Sequence, residues 1–166
     1  TAVIANVGAL SEWYSWAVIK ADFPTGDDVP IAWADYPDAA ATWKLLEIHD
    51  LGGTYKYRLN CSCLSYYSAD LATVSVGTVT AVLLEAGPTY LNVTTDDGSS
   101  SNHVLSGVGF ATGARSDHDI RFIKREDIGP FNGHMGEFGI ATGALSDTTK
   151  AKLWAYLNAK WGTAIP

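Results

Sequence analysis

Carboxylates are the side chains of this sequence that could carry acid–base chemistry, and their spacing decides whether they do. Retaining hydrolysis of a glycosidic bond needs two carboxyl groups about 5 Å apart, which positions i and i+2 on one face of a strand can provide. None of the five glutamates stands in a Glu-x-Asp-x-Glu arrangement. The nearest alternating pair, Asp117 and Asp119 on either side of His118, falls in a segment that we predict to be a solvated loop. The carboxylates therefore offer no catalytic pair.

Nucleophiles and zinc ligands are equally sparse in the sequence. The chain contains no Gly-x-Ser-x-Gly turn, no Gly-x-x-x-x-Gly-Lys phosphate loop and no His-x-x-x-His pair. Cys61 and Cys63 supply too few ligands for a zinc site, and their i, i+2 spacing is strained for a disulfide. We interpret them as half-buried thiols that pack as small apolar groups. We therefore predict that the protein is not an enzyme and has no catalytic residues.

Two pairs of adjacent aspartates are the candidate metal ligands. Asp27 and Asp28 follow a Pro-Thr-Gly sequence, and Asp96 and Asp97 precede a Gly-Ser-Ser-Ser sequence, so both pairs are predicted to lie in loops. Calcium takes six to eight oxygen ligands, of which one such loop supplies only a part. Calcium is thus the one cofactor that the sequence suggests, and solvated acidic turns are the alternative interpretation.

Aromatic side chains near polar loops are the best candidates for ligand binding. Trp33, Tyr36 and Trp43 surround a segment rich in aspartate and alanine, and Tyr66 and Tyr67 follow a strongly alternating segment. Sugar rings stack their C–H faces on such rings while nearby polar groups bind the hydroxyls. Because adjacent residues of a strand point to opposite faces, Tyr66 and Tyr67 cannot both face a core. The alternative interpretation is that most of these aromatic side chains belong to the core.

Short strands are the elements that must position these residues. Residues 54–64 alternate strictly between apolar and polar side chains, which is a strong strand signal. Further strands are predicted over 13–23, 44–48, 74–85, 89–95, 121–124 and 134–141, with turns at 24–30 and 50–53. Many short strands separated by turns predict a sandwich or a barrel. The apolar first ten residues could form either an arm embedded in a neighbour or an edge strand.

A single helix is predicted at the carboxyl end, over about 147–161. Ser146 is a favourable N-cap and Gly162 a favourable C-terminal stop. Leu153, Trp154, Leu157 and Trp161 recur at helical spacing and form one apolar stripe. We expect this stripe to dock on the sheets and to bury its tryptophans.

Length, charge and composition set the broad class. The chain has 166 residues, of which 47% are hydrophobic and 17% charged, and this predicts one domain, 1–166, with its own core. A formal net charge of −7 disfavours nucleic acid and anionic membranes as partners. No apolar run approaches the roughly 20 residues of a membrane-spanning helix, so membrane insertion is not expected. The first residues lack the basic start of a signal peptide.

The carboxyl-terminal quarter resembles the end of laminin-G-like domains. Their pattern is Phe-x-Gly-x-apolar-x-Glu-apolar, then Leu-Ser-Asp, then Tyr-Leu-x-x-Lys-aromatic-Gly. The residues that match it in order are Phe131, Gly133, Met135, Glu137, Phe138, Leu145, Ser146, Asp147, Tyr156, Leu157, Lys160, Trp161 and Gly162. The resemblance implies an all-β fold, a two-sheet antiparallel jelly-roll β-sandwich of the concanavalin A-like kind with one C-terminal α-helix. The Trp-His strand usual in such domains is replaced here by residues 79–85, and the Asp-Gly hairpin by residues 96–98.

Domains with this ending are similar to ones in bacteriophage virion proteins and bacterial surface proteins, which implies a virion or extracellular setting. Two functions remain open at this point. The first is a carbohydrate- or cell-surface-binding module, whose partner is a glycan. The second is a structural virion protein, such as a capsid decoration or tail component, whose partners are other virion proteins or copies of itself in a homo-oligomer or symmetric array. A glycoside hydrolase, the third hypothesis, lacks its carboxylate pair.

Overall fold

The computed structural model describes residues 2–5, 12–22, 28–34, 44–62, 66–87, 90–96, 100–104, 117–122 and 132–163. For some of the strands it describes the backbone alone. Eleven strands and one helix lie in these residues. The strands are β1 (Ala2–Ala5), β2 (Trp13–Ala21), β3 (Asp28–Ala34), β4 (Lys44–Asp50), β5 (Tyr55–Ser62), β6 (Tyr66–Thr73), β7 (Thr80–Ala86), β8 (Tyr90–Thr95), β9 (Ser100–Val104), β10 (Asp117–Phe122) and β11 (Gly133–Thr142). The helix is α1 (Asp147–Trp161).

The strands form two antiparallel sheets. Sheet A has six strands in the order β1-β10-β3-β4-β5-β6, and sheet B has five in the order β11-β2-β7-β8-β9. Among the described residues, the amino-terminal strand β1 pairs with β10 at the edge of sheet A, which agrees with the edge-strand alternative for residues 2–5. The predicted antiparallel sandwich with a carboxyl-terminal helix is confirmed by these two sheets and α1.

Burial explains why strands of the two sheets have different sequence patterns. In β2 and β7 the runs Ala17–Ile19 and Ala81–Leu84 are buried at every position. One face of sheet B packs under α1 and the other faces sheet A, so both faces require apolar residues. In β5, by contrast, Tyr57 is fully buried while its neighbours Lys56 and Arg58 are half-buried. A sheet covered on one face keeps the period-two pattern.

Several boundaries differ from the sequence-based expectation, and β3, β6 and β9 lie in segments for which no strand was predicted. Residues 74–79, predicted as strand, form the turn between β6 and β7, where the Gly77 N–H donates to the Ala21 carbonyl at 2.7 Å. The predicted loop at Asp117–Asp119 is the first half of β10, because pairing with β1 and β3 outweighs a weak local strand preference. The turn predicted over 24–30 ends earlier, since β3 starts at Asp28. The loop that begins at Asp96 ends before Ser100, the first residue of β9.

Helix α1 begins and ends at the predicted caps. The Ser146 hydroxyl accepts a hydrogen bond from the Thr149 N–H at 3.2 Å, and Gly162 adopts the left-handed conformation (φ 66°) while its N–H donates to the Asn158 carbonyl. Asp147 in the first turn and Lys160 in the last complement the helix dipole. Within the described part of the chain, no helix is both long and apolar enough to cross a membrane.

Loss of the N-cap should have a modest, measurable effect. We expect Ser146→Ala to lower the free energy of unfolding by about 1 kcal/mol, because one N–H of the first turn loses its acceptor. Ser146→Asp, which restores an acceptor, should unfold at the wild-type denaturant concentration. Equal losses in both variants would show that the cap is not the cause.

The helix docks on sheet B through a cluster that also needs two glycines. Trp154 and Leu157 are buried against Val18, Ala81 and Leu83. A Cβ atom at Gly139 would lie 2.0 Å from the Trp16 ring, and one at Gly136 would lie 2.6 Å from the Trp161 ring. Gly136 falls where the register between β11 and β2 shifts. These indole rings therefore lie directly on the backbone of β11.

Candidate functional site

The aromatic residues selected from the sequence belong to one end of sheet A. Trp33 is the last residue but one of β3, and Tyr66 and Tyr67 begin the edge strand β6. Tyr36 and Trp43 lie outside the described residues, in the segment that connects β3 to β4. Since β3, β4, β5 and β6 are consecutive antiparallel neighbours, the β3–β4 and β5–β6 connections fall at the same end of the sheet.

The register of the strand pairs in sheet A aligns several of these positions across the sheet. Trp33 is opposite Lys44, Lys44 is opposite Cys61, and Cys61 is opposite Tyr67, so the four positions form one cross-strand row. Three steps between strands separate the Trp33 and Tyr67 backbones by about 14 Å. Along β5, the Cys61 position of this row lies four residues from the buried Tyr57. Tyr66 directly precedes Tyr67 on β6, so the two positions alternate along the strand.

The candidate calcium ligands lie at the opposite end of the sandwich. Asp28 starts β3 opposite Ile48, and Asp96 follows β8 beside the end of β2. The Asp96 carboxylate accepts a hydrogen bond from the Ala81 N–H at 3.2 Å, and the Asp96 N–H donates to the Ala81 carbonyl at 3.1 Å. Asp96 is buried and closes the β7–β8 pair. Asp27 and Asp97 lie outside the described residues. Among the described residues, no three Asp, Glu, His or Cys side chains form a group that could hold a metal ion. Calcium binding stays a prediction.

The best-defined polar cluster is centred on Glu137 and holds α1 to sheet B. Its Oε2 accepts hydrogen bonds from Lys160 Nζ at 2.8 Å, Trp161 Nε1 at 3.0 Å and Tyr156 Oη at 3.1 Å. Its Oε1 accepts one from Trp16 Nε1 at 3.4 Å. The Lys160 ammonium also lies over the rings of Tyr156 and Trp161. Residues of the laminin-G-like pattern thus meet here, in a structural role.

Burial and hydrogen bonding have opposite effects on the pKa of Glu137. Burial raises the pKa of its carboxyl group, but the hydrogen bonds from Lys160, Trp161, Trp16 and Tyr156 outweigh that effect and lower the pKa from 4.5 to about 2. The same contact raises the pKa of Lys160. Both groups are therefore charged throughout the neutral range, as a fixed ion pair rather than an acid or a base.

A second polar cluster was not predicted from the sequence. Glu85 on β7 accepts hydrogen bonds from Asn92 on β8 and from Lys150 in the first turns of α1. Glu85 and Lys150 are 65 positions apart along the chain, so no local sequence pattern connects the three residues. The sequence signal for this cluster is that Glu85 directly follows the apolar run 81–84. Glu85 is buried in the structure, and a buried charge needs a partner.

Comparison with known proteins identifies the fold. No family model matches the chain, and no curated protein matches its sequence. Among solved structures, the CBM40 domain of the Ruminococcus gnavus IT-sialidase, bound to α2,3 sialyllactose, has a TM-score of 0.67 at 13% identity, over 84% of this chain and 80% of that one. Domain 4 of AbnA, a GH43 extracellular arabinanase from Geobacillus stearothermophilus in complex with arabinotriose, has a TM-score of 0.66 at 16% identity, over 89% and 68%.

A phage protein contains the same fold as one part of a larger chain. The enzymatically active domain of tailspike protein 2 from bacteriophage CBA120 has a TM-score of 0.61 at 14% identity. The match covers 94% of this chain and 26% of the chain of that domain. With the likeness to laminin LG domains, these structures show that the chain has the concanavalin A-like, laminin G-like jelly-roll fold.

Proposed function

We propose that the chain is a non-catalytic carbohydrate-binding module of a virion or extracellular protein. The observation that carries the proposal is the gathering of Trp33, Tyr66 and Tyr67 at one end of sheet A, beside the connection that contains Tyr36 and Trp43. The likeness to two domains whose structures contain bound oligosaccharides supports it.

Two groups of aromatic residues would contribute to binding in different ways. Tyr66, on the edge strand β6, and Tyr36 and Trp43, in the connection, are proposed to stack on sugar rings. Trp33 and Tyr67, which share one cross-strand row, are proposed to pack beside them. Aromatic rings suit this role because they offer a large apolar area with little side-chain entropy to lose.

A glycan array tests the proposal. We expect the isolated domain to bind a defined set of glycans, and Trp43→Ala and Tyr66→Ala to weaken binding by at least about tenfold, or 1.4 kcal/mol. Tyr156→Ala removes a 46% exposed aromatic side chain from α1, away from sheet A, and should bind as wild type does. Repeating the array with calcium and with a chelator tests Asp27, Asp28, Asp96 and Asp97. Folded protein that binds no glycan would refute the module.

The other end of the sandwich favours a second candidate function. Leu51, Val76 and Val79 are exposed by 41–47% in the turns between β4 and β5 and between β6 and β7. Exposed apolar groups that cluster at one end are typical of protein contacts. A structural virion component, in contact with other virion proteins or with copies of itself, would use this surface. In that case the glycan array is negative, and Val76→Asp abolishes assembly.

A further inference from the structure

A cluster at one end of the inner strands of sheet B combines the groups that recognise hydroxyl-rich ligands. We define the Glu85 cluster as Glu12, Tyr14, Glu85, Tyr90, Asn92 and Lys150. Tyr14 is opposite Glu85 and Glu85 is opposite Asn92, so these three positions form one row on the side of sheet B that carries α1. Tyr90 lies two residues before Asn92 on the same face. The row continues to Asn102 on β9.

Glu85 has hydrogen-bonding capacity that its neighbours do not use. Asn92 Nδ2 donates at 3.0 Å and Lys150 Nζ at 2.8 Å, and both bonds end on Oε2. Among the described residues, none donates to Oε1, although the Glu85 side chain is only 11% exposed. At Glu137, by contrast, both carboxylate oxygens are engaged. A nearly buried carboxylate with a spare acceptor, beside an amide and an ammonium group with further capacity, suits a pair of sugar hydroxyls.

Two half-buried tyrosines border this row. Tyr14 stacks on Trp16, with ring centroids 6.2 Å apart, which holds its orientation. The Tyr90 ring lies against the backbone of Gly87, where a Cβ atom would be 2.2 Å away. Burial raises the pKa of Tyr90, and the carboxylates of Glu12 and Glu85 raise it further, so its hydroxyl stays protonated. The Tyr90 ring is thus a neutral surface near the carboxylate of Glu85.

We propose that the Glu85 cluster is a second ligand site, which binds a neutral sugar through Glu85, Asn92 and Lys150 with Tyr90 or Tyr14 beside the ring. The two carboxylates and one ammonium group leave a net negative charge, which disfavours sialic and uronic acids. The site lies on sheet B, on the opposite sheet from the proposed aromatic site, and does not depend on it.

Nuclear magnetic resonance titration of the labelled domain separates the two sites. The probes are D-galactose, D-glucose, D-mannose and N-acetyl-D-glucosamine at millimolar concentration, with N-acetylneuraminic acid as the acidic comparison. We expect at least one neutral sugar to shift the amide signals of Tyr14, Glu85, Asn92 and Lys150 in a saturable way, and the acidic sugar to leave them unchanged. Shifts confined to sheet A would overturn the second site and leave the proposed function intact.

Matched variants test the contacts. Glu85→Gln keeps the size of the side chain, and Asn92→Thr introduces a residue that strands favour. Both variants should reduce affinity at this site by at least about tenfold. Thr94→Val, two positions along the same strand, should leave affinity unchanged. Absence of any shift in the wild-type cluster with all four neutral sugars refutes the proposal, whether or not the variants fold. Shifts at neither sheet, with a negative glycan array, would refute both sites.

Discussion

Replacement of Trp154 by alanine is expected to lower the free energy of unfolding by about 3–5 kcal/mol. Trp154 is 5% exposed and packs on Val18, Ala81 and Leu83 of sheet B, so its removal leaves a cavity beneath α1. Because whole domains are stable by roughly 5–15 kcal/mol, this loss should be visible as a large drop in the urea midpoint.

Tyr156→Ala is the matched control for Trp154→Ala. It removes an aromatic side chain from the same helix, but from a position that is 46% exposed. We expect its cost to stay near 1 kcal/mol, the value of one hydrogen bond to Glu137. If Trp154→Ala cost no more than this control, α1 would not be docked on sheet B in solution.

The second large effect is expected at Glu137. Glu137→Ala removes the acceptor of four donors, among them the indole N–H groups of Trp16 and Trp161. Buried donors left without a partner cost about 1–3 kcal/mol each. We expect a total loss of about 3 kcal/mol, measured by denaturant unfolding at neutral pH. Because the Lys160 head group stays exposed, it should add little to this loss.

The same carboxylate should make stability depend on acidity. The folded-state pKa of about 2 lies below the ordinary value of 4.5, so the unfolded state binds the proton more tightly. The stabilisation is therefore complete above about pH 5 and is lost as the pH falls through about 2. At 1.36 kcal/mol per pH unit it amounts to at most about 3 kcal/mol, less the screening by solvent.

Glu137→Gln distinguishes charge from shape. The amide keeps the side-chain size and one acceptor oxygen, but it does not titrate. We expect this variant to be less stable than wild type at pH 7 and to differ little from it at pH 2. A stability–pH profile of the variant that ran parallel to that of the wild type would show that another group causes the acid transition.

Local signals explain why the carboxyl-terminal third was predictable. Ser146, Gly162 and the stripe from Leu153 to Trp161 act within one helix, so their meaning is independent of distant residues. The strict alternation over residues 54–64 likewise reflects one covered face of β5. Glu137 was selected through a resemblance, and its role in holding α1 followed only from the four donors that surround it.

Pairing explains the misplaced boundaries. Residues 74–79 have β-branched side chains but lie in a turn, because the chain must cross there from β6 in sheet A to β7 in sheet B. Asp117 and Asp119 have low strand propensity but occupy β10, because β1 and β3 flank them on both sides. The segment 96–98, which takes the place of the usual Asp-Gly hairpin, belongs to the connection between the antiparallel neighbours β8 and β9.

The sequence by itself determined the strand-rich class, the helix with both caps and the absence of a catalytic carboxylate pattern, because these depend on residues close along the chain. Only the tertiary structure decided which distant residues meet. Trp33 and Tyr67 share a row through three strand pairings, and Glu85 reaches Lys150 across 65 positions. Long-range pairing is set by the burial of whole faces of sheets and by the connections between them, which no local pattern encodes.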